Sequence, residues 1–307
     1  MFSRHYFKNW FWASLRCYLF KRSLLKSNAM IAVCKDGTKI IVHPNLYGFL
    51  VRGLFEGFFT DLRCRDGAVI AKNFTIPMEE LLLSSCVAEA IRLGWRYDSS
   101  CSCWLRDGAS FRHMKCAIIE VFDFGEYRLL DVKNKVVVDV GATYGDSTMY
   151  FLLRGAKKVI AIEPCPEEFK ELLENLKLNN AVDKVMPINA ALASKRSKIS
   201  VECSSGKAFA DTVTLGDVAK IVDIEGAVLK MDCEGCEYDV ILNDYEHVKL
   251  FDEVYFEYHA YATGVPVDVL LQKLSKDYKC EIVSDDEFYN WHRYNKKLLG
   301  LVRCVKV

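Results

Sequence analysis

Short apolar runs alternate with longer amphipathic stretches after residue 134. Residues 136–138 are entirely apolar, which predicts a buried strand, and a glycine-containing turn follows them. Apolar runs separated by segments of helical period are typical of a parallel sheet with helices on both faces. The predicted strands are 136–138, 159–162, 185–190, 226–231, 251–258, 280–284 and 298–306, and the predicted helices are about 144–154, 167–178, 236–242 and 266–276.

The last two predicted strands have no helix between them, so they predict an antiparallel hairpin at one edge of the sheet. The pattern therefore predicts an α/β fold, a doubly wound, mostly parallel seven-stranded sheet with an antiparallel edge hairpin.

The pattern before residue 125 is different and predicts an N-terminal extension or small α+β cap. Alternation over 29–43 around Asp36-Gly37 predicts a β-hairpin, and 78–93 has a helical period. We read 97–110 as a loop and 116–122 as a strand. The predicted organisation is thus a helical segment at 1–28, an extension at 29–125 and a main domain at 126–307.

The segment at 1–28 is basic and aromatic. Its longest apolar run, 10–15, is too short to span a membrane, and no clear secretory cleavage site follows. Either this helix lies on a membrane surface or near an anionic partner, or its aromatic face packs on the rest of the protein. The residues concerned are Arg4, Phe7, Lys8, Trp10, Phe11, Trp12, Arg16, Lys21, Arg22 and Lys26.

The chain has 13 cysteines, 41 basic and 41 acidic residues among 307. The balanced charge gives no general argument for nucleic-acid binding. A secreted disulfide scaffold would be shorter, so most of the cysteines are expected to be small buried apolar residues, with one or two disulfides left open. We expect a cytoplasmic protein that can lie against a membrane. Gln272 is the only glutamine, which favours a hot-environment source.

The strongest motif follows the strand at 136–138. It reads Asp139-Val-Gly141-Ala-Thr-Tyr-Gly145, a strand ending in an acid, then a glycine-rich turn, then a helix. A dinucleotide site would favour G-x-G-x-x-G, whereas these glycines are spaced G-x-x-x-G. An acid two residues before Gly141 would repel a pyrophosphate but suits a ligand with an ammonium and a sulfonium group. Glu163, 22 residues past Gly141, can accept ribose hydroxyls, or simply cap the helix after Pro164.

Two acidic clusters follow later strands. Residues 229–237 contain Asp232, Glu234 and Glu237, and they also form C-x-x-C through Cys233 and Cys236. A zinc site would need a second pair at suitable spacing, which the sequence lacks, so no metal site is assigned.

The second cluster, 253–259, places Glu253, Glu257 and His259 on one face of a strand. His259 is a candidate base because the pKa of histidine is near neutral, although a lone histidine is more often structural.

These segments together resemble the FkbM family of S-adenosylmethionine-dependent methyltransferases, which have a Rossmann-like fold. The resemblance covers roughly 110–307, and Cys233 and Cys236 replace residues that are usually aliphatic or alanine in the family. It implies S-adenosylmethionine as the cofactor and methyl transfer, generally to oxygen, on glycans, glycolipids or secondary metabolites. The matching segments are 137–141, 161–164, 174–179, 189–192 and 229–237.

The resemblance also implies roles for individual residues. Asp232 would lie nearest the methyl group, and Asp232 or His259 would accept the acceptor's proton, with Glu234 beside them. Glu234, Glu237 and Glu257 would bind substrate hydroxyls, with a divalent cation as the alternative for the first two. The implied cofactor contacts are Asp139, Gly141, Ala142, Tyr144, Gly145, Asp146, Ser147, Glu163, Pro164, Asn189, Ala190 and Asp232.

Three alternatives stay open. A nicotinamide-linked oxidoreductase has the same fold logic but a different glycine spacing, and a non-catalytic binding protein has no need of the three carboxylates at 232–237. A nucleic-acid methyltransferase would usually show a broad basic face and an N-P-P-aromatic motif, which is absent from the sequence.

Overall fold

A computed structural model describes residues 2–58, 61–65, 67–71, 74–83, 86–283, 295 and 297–307. The chain divides into two compact units, Met1–Ile119 and Glu120–Val307. The sequence placed the start of the main domain at residue 126, and the division in the structure falls inside a short helix a few residues earlier.

The first unit combines short helices with three small antiparallel sheets. Strands β1 and β2 form a hairpin, and the other six strands form two three-stranded sheets in sequence order. Its described elements are α1 (Trp10–Lys21), β1 (Met30–Val33), β2 (Lys39–Val42), α2 (Pro44–Phe55), β3 (Leu62–Arg65), β4 (Ala68–Ala71), β5 (Phe74–Pro77), α3 (Glu80–Leu83), α4 (Val87–Arg92), β6 (Arg96–Asp98), β7 (Cys103–Arg106), β8 (Ala109–Phe111) and α5 (Cys116–Phe122).

The hairpin predicted around Asp36-Gly37 is confirmed, and the region predicted as one helix over 78–93 contains α3 and α4, with 84–85 outside the described residues. Two predictions for this unit are wrong. The predicted loop at 97–110 contains most of the sheet β6-β7-β8, because Asp107 and Gly108, with φ of +49° and +85°, form the tight turn of a hairpin. The predicted strand at 116–122 is helix α5, since a short apolar run has no period that distinguishes the two.

The second unit is built around one large sheet. Its described elements are β9 (Val136–Val140), α6 (Asp146–Leu153), β10 (Lys158–Ile162), α7 (Pro166–Leu178), β11 (Val185–Ile188), β12 (Ala191–Leu192), β13 (Lys198–Cys203), β14 (Gly206–Val213), α8 (Leu215–Ala219), β15 (Val228–Met231), α9 (Cys236–Asn243), α10 (Tyr245–Val248), β16 (Glu253–His259), α11 (Ala260–Thr263), α12 (Val267–Leu274), β17 (Tyr278–Val283) and β18 (Leu299–Lys306).

The large sheet has seven strands in the order β11-β10-β9-β15-β16-β18-β17. The first five are parallel, and β18 runs antiparallel to both β16 and β17. The predicted Rossmann-like α/β fold with an antiparallel edge hairpin is therefore confirmed, although residue 284 of the predicted edge strand lies outside the described residues. The strand order reverses between β9 and β15, and ligands of such sheets bind at the carboxyl ends of the strands beside this reversal.

A second, smaller sheet in this unit has the order β12-β14-β13 and carries no prediction from the sequence. Strand β13 alternates between exposed and half-buried positions, so its apolar pattern is too weak to stand out from a loop.

Twelve of the 13 cysteines form disulfides, so the expectation of mostly unpaired, buried cysteines is wrong. Only Cys17 is free, and it is buried. Sequence spacing does not reveal such pairs, because four of them join residues 24 to 38 positions apart that only folding brings together.

Among the described residues, none of the helices is both long and apolar enough to cross a membrane.

Candidate active site

The glycine turn after β9 packs directly against the end of β15. Gly141 has φ of +72°, and a Cβ atom built on it would lie 1.7 Å from the carbonyl oxygen of Asp232. The turn amides of Gly141 and Ala142 both donate to the carbonyl oxygen of Ile162 at the end of β10. The ends of three neighbouring strands are therefore fixed together at the point where the strand order reverses.

Asp139 and Lys230 form a completely buried ion pair beneath this turn. The Lys230 ammonium lies 3.1 Å from Asp139 Oδ1 and donates to two carbonyl oxygens of the turn at 3.1 and 2.8 Å. Ser147 and Thr148 donate to the Asp139 carboxylate from α6. Because Asp139 is inaccessible and already has these donors, its place is beneath the turn that it positions, rather than at the surface where a cofactor would touch it.

Glu163 and Asp146 both accept hydrogen bonds from Thr143. The Thr143 amide donates to Glu163 Oε2 at 2.9 Å, and the Thr143 hydroxyl donates to Asp146 Oδ1 at 2.6 Å. Glu163 Oε1 also accepts from the amide of Cys165 at 2.8 Å. Burial raises the pKa of Glu163 to about 7 and the pKa of Asp146 to about 6. Each carboxylate keeps lone pairs for a ligand, since an ionised carboxylate accepts about four hydrogen bonds.

The remaining predicted cofactor residues surround the same turn. The Asn189 side chain donates to the carbonyl oxygen of Glu163 at 2.8 Å, and the carbonyl oxygen of Tyr144 accepts from Asn175 at 2.8 Å. Burial and nearby Glu168 raise the pKa of the Tyr144 hydroxyl to about 12. Ala142, Gly145, Ser147 and Ala190 are buried, Tyr144 and Pro164 are half-buried, and Asn189 is exposed.

The loop between β15 and α9 contains two consecutive residues with left-handed backbone, Glu234 with φ of +56° and Gly235 with φ of +116°. A disulfide between Cys233 and Cys236 spans both of them. The side chain of Asp232 is 29% exposed and that of Glu234 is 70% exposed, so both reach the surface of the site. The two cysteines, which had no predicted role, thus cross-link the loop that carries these carboxylates.

Glu237 fixes the orientation of the His259 ring. Glu237 Oε1 accepts from the His259 amide at 2.9 Å and lies 3.1 Å from His259 Nδ1, while Oε2 accepts from the Gly235 amide at 3.0 Å. Glu237 is fully buried. It was predicted to bind substrate, but its burial and its protein donors make it a positioning residue for His259.

The other ring nitrogen of His259 faces three carboxylates. Its Nε2 atom lies 3.4 Å from Glu257, 3.7 Å from Glu234 and 3.8 Å from Asp232. Burial opposes the charged imidazolium, but hydrogen bonds to the surrounding carboxylates outweigh it and raise the pKa of His259 to about 11. Burial would raise the pKa of Asp232, yet Lys230 and His259 hold this pKa below its usual value. At neutral pH the site therefore contains an imidazolium beside an ionised Asp232.

Two residues of the site were not predicted from the sequence. The Tyr127 hydroxyl donates to Asp232 Oδ2 at 3.4 Å, and the Lys230 ammonium lies 5.3 Å from the centre of the Tyr127 ring. Glu126 is 7% exposed, and burial together with the negative charge of Glu257 raises the pKa of Glu126. Both residues lie beside the predicted domain boundary in a stretch without motif or period, so no signal in the sequence identifies them.

Glu253 shares a strand face with Glu257 and His259, as predicted, but lies at the opposite end of β16. It accepts from Arg303 Nε at 2.6 Å and from the Asp131 amide at 3.0 Å. The structure thus brings Asp232, Glu234, Glu257 and His259 together and leaves Glu253 in a separate ion pair.

Comparison with known proteins identifies a family for the region that contains this site. The methyltransferase FkbM domain matches residues 139–280. "Uncharacterized protein 158B" of Sulfolobus islandicus rod-shaped virus 1 is 31% identical over 141 residues, which are 46% of this chain and 72% of that protein. "Uncharacterized protein 65" of a Sulfolobus islandicus filamentous virus is 43% identical over 63 residues, 20% of this chain and 40% of that protein.

Solved structures with a similar arrangement include methyltransferase FkbM from Methylobacillus flagellatus KT, with 17% identity and a TM-score of 0.43 over 61% of this chain and 47% of that one. M. jannaschii TYW2 in complex with AdoMet has 18% identity and a TM-score of 0.39 over 69% of this chain and 84% of that one.

Proposed function

The chain belongs to the methyltransferase FkbM family, and from this premise we propose that it transfers a methyl group from S-adenosylmethionine to a hydroxyl group of a glycan, glycolipid or secondary metabolite. The observation that carries the proposal is the meeting of the glycine turn, Glu163 and Asp232 at the carboxyl ends of three adjacent strands. In a doubly wound sheet, this is where a ligand binds.

The charge of this edge suits a cationic cofactor. S-adenosylmethionine carries a sulfonium and an ammonium group, and the edge offers Asp146, Glu163 and Asp232. Lys230, the cation nearest the turn, is already paired with Asp139. A pyrophosphate would meet repulsion from the same carboxylates, which argues against a nicotinamide dinucleotide. We propose that Glu163 accepts hydrogen bonds from the ribose hydroxyls and that the turn amides contact the amino-acid end.

The proposed reaction is a direct displacement. An oxygen of the acceptor attacks the methyl carbon, the carbon–oxygen bond forms, and the carbon–sulfur bond breaks with its electron pair returning to sulfur. The hydroxyl proton passes to Asp232, which is ionised at neutral pH, and S-adenosylhomocysteine is left. His259 already carries a proton at neutral pH, so without another cation it stabilises the ionised Asp232 rather than acting as the base. Alignment of the oxygen with the methyl group supplies much of the rate increase.

A polar rim supports an acceptor that is rich in hydroxyl groups. Glu234 is 70% exposed and accepts a hydrogen bond from the Tyr261 hydroxyl at 2.6 Å. Glu257 lies deeper, within 3.4 Å of His259. The exposed carboxylate of Glu234 keeps free lone pairs and is a strong acceptor for sugar hydroxyls, which supports the glycan or glycolipid classes.

Calorimetric titration tests the cofactor. We expect S-adenosylmethionine and S-adenosylhomocysteine to bind with micromolar affinity and NAD not to bind. Binding of NAD alone would favour an oxidoreductase, and no binding of any of the three to folded protein would favour a non-catalytic role.

Asp232→Asn tests the proposed base once an acceptor has been found by screening glycans and lipids. Loss of the proton acceptor should lower kcat by about a hundredfold or more, with the affinity for S-adenosylhomocysteine retained. Unchanged kcat in this variant would remove Asp232 from the role.

A further inference from the structure

We propose that Asp232, Glu257 and His259 form a binding site for one divalent cation of the Mn²⁺ type. The use of this ion in catalysis rests on the proposed function, whereas its binding does not. The sequence assigned no metal site to the chain, and the alternative that it left open concerned Glu234 and Glu237 instead.

The three side chains have the spacing of metal ligands. One atom from each, a carboxylate oxygen or a ring nitrogen, lies within 4.8 Å of the others. His259 Nε2 is 3.4 Å from Glu257 and 3.8 Å from Asp232. Metal–ligand bonds of about 2.1 Å place neighbouring ligands about 3 Å apart, so the side chains need only small movements to hold an ion.

The ring of His259 is prepared for coordination. Its Nδ1 atom is hydrogen-bonded to the buried carboxylate of Glu237, which leaves Nε2 to face Asp232 and Glu257. Histidines that bind metals almost always donate their second ring N–H to a carboxylate or carbonyl in this way, which fixes the tautomer and makes the ligand more basic.

The kinds of donor atom at the proposed site indicate which ion it would bind. Carboxylates suit Mg²⁺, Ca²⁺ and Mn²⁺, whereas an imidazole donor favours the transition metals among divalent ions. Mn²⁺ binds both kinds of donor. An ion bound here would also lower the pKa of an acceptor hydroxyl that binds to it, and so assist the proposed proton transfer to a carboxylate.

The experiment uses the full chain, freed of metal with a chelator and without S-adenosylmethionine. Mn²⁺ is titrated by calorimetry, and free Mn²⁺ is followed by electron paramagnetic resonance. We expect one Mn²⁺ per chain, bound at least about tenfold more tightly than Mg²⁺ or Ca²⁺. No binding at millimolar Mn²⁺ would overturn the site.

Variants locate the ion. Glu257→Gln, which preserves shape, and Glu237→Gln, which breaks the support of the ring, should each weaken Mn²⁺ about tenfold or more. Glu246→Gln is the matched control, because Glu246 is exposed on α10 and pairs only with Lys249 among its ion pairs in the described chain. His259→Ala is informative only if circular dichroism shows that the variant folds. If it does not fold, the two Gln variants test the assignment. Equal Mn²⁺ affinity in Glu257→Gln and the parent would refute the assignment.

The proposed function is tested separately, by S-adenosylhomocysteine titration of the same metal-free protein. Mn²⁺ binding without S-adenosylhomocysteine binding would retain the metal site and remove the methyltransferase proposal. The converse result would remove the metal site alone.

Discussion

Gly141 lets two strand ends approach more closely than any residue with a side chain would allow. Its φ of +72° is strained for other residues, and its missing Cβ leaves room for the backbone of Asp232. Glu163 and Asp146, both joined to Thr143, are buried carboxylates whose pKa values lie near neutrality. At this scale the site depends on backbone approach and on the burial of charge.

Comparing Gly141→Ala with Gly264→Ala distinguishes the effect of the close contact with Asp232 from the effect of backbone strain. Gly264 has nearly the same φ, +71°, but nothing lies within 4 Å of its added Cβ. We expect Gly264→Ala to cost about 1 kcal/mol of unfolding free energy, and Gly141→Ala to cost clearly more and to abolish S-adenosylhomocysteine binding. Urea denaturation and calorimetry measure the two effects, and equal losses in both variants would contradict the close-contact argument.

Glu163→Gln should change how stability depends on pH. The pKa of Glu163 is raised to about 7 in the folded protein from 4.5, so the folded state binds the proton more tightly than the unfolded state. This proton stabilises the fold below pH 4.5, and the stabilisation is lost as the pH rises through 7. The parent should therefore lose up to about 3 kcal/mol relative to Glu163→Gln across this window.

Urea denaturation of both proteins between pH 4.5 and pH 8 measures the difference. Parallel curves for the parent and the variant would show that the pKa of Glu163 is not raised.

Helix α1 has one buried face and one exposed face. Ala13 and Cys17 are buried, whereas Phe11, Trp12, Leu15 and Tyr18 are exposed by 37% to 66% on a stripe of helical spacing. Basic side chains at 16, 21 and 22 accompany this stripe. The alternative in which the whole aromatic face packs on the protein does not hold for these four residues. We propose that the segment 1–28 lies on an anionic membrane surface.

Sedimentation with vesicles tests this element. The protein should bind vesicles that contain phosphatidylserine, more weakly in high salt and hardly at all to neutral vesicles. Trp12→Ala should weaken binding about tenfold, since burying one large side chain contributes about 1.5–3 kcal/mol. Phe209→Ala is the control, an aromatic residue 75% exposed in the second unit. Equal loss in both variants, or no preference for anionic lipid, would contradict the proposal.

The disulfides act at the scale of the whole molecule. Cys34–Cys64 and Cys86–Cys116 close loops within the first unit, and Cys165–Cys203 and Cys280–Cys304 close loops within the second. Such cross-links stabilise chiefly by restricting the unfolded chain.

Paired alanine variants should rank these cross-links by loop length. The Cys165–Cys203 bridge spans 38 residues, so replacing both cysteines should cost about 4 kcal/mol. The Cys101–Cys103 bridge spans 2 residues, and its loss should cost about 1 kcal/mol. Thermal denaturation under oxidising conditions compares them, and a larger loss for the short bridge would contradict the entropic account.

The sequence by itself determined the large sheet, because fully apolar runs and helical periods at 136–306 are local signals that burial on both faces of a parallel sheet imposes. It also located the glycine turn, Glu163, Asp232 and His259, since each directly follows or ends a strand. Only the tertiary structure decided the rest. Residues distant in sequence determine the pairing of twelve cysteines and the contact of Lys230 with Asp139. They also determine the burial of Glu237 behind His259 and the place of Glu126 beside the site. No local period or spacing encodes such contacts, because they arise when separate strands and loops pack together.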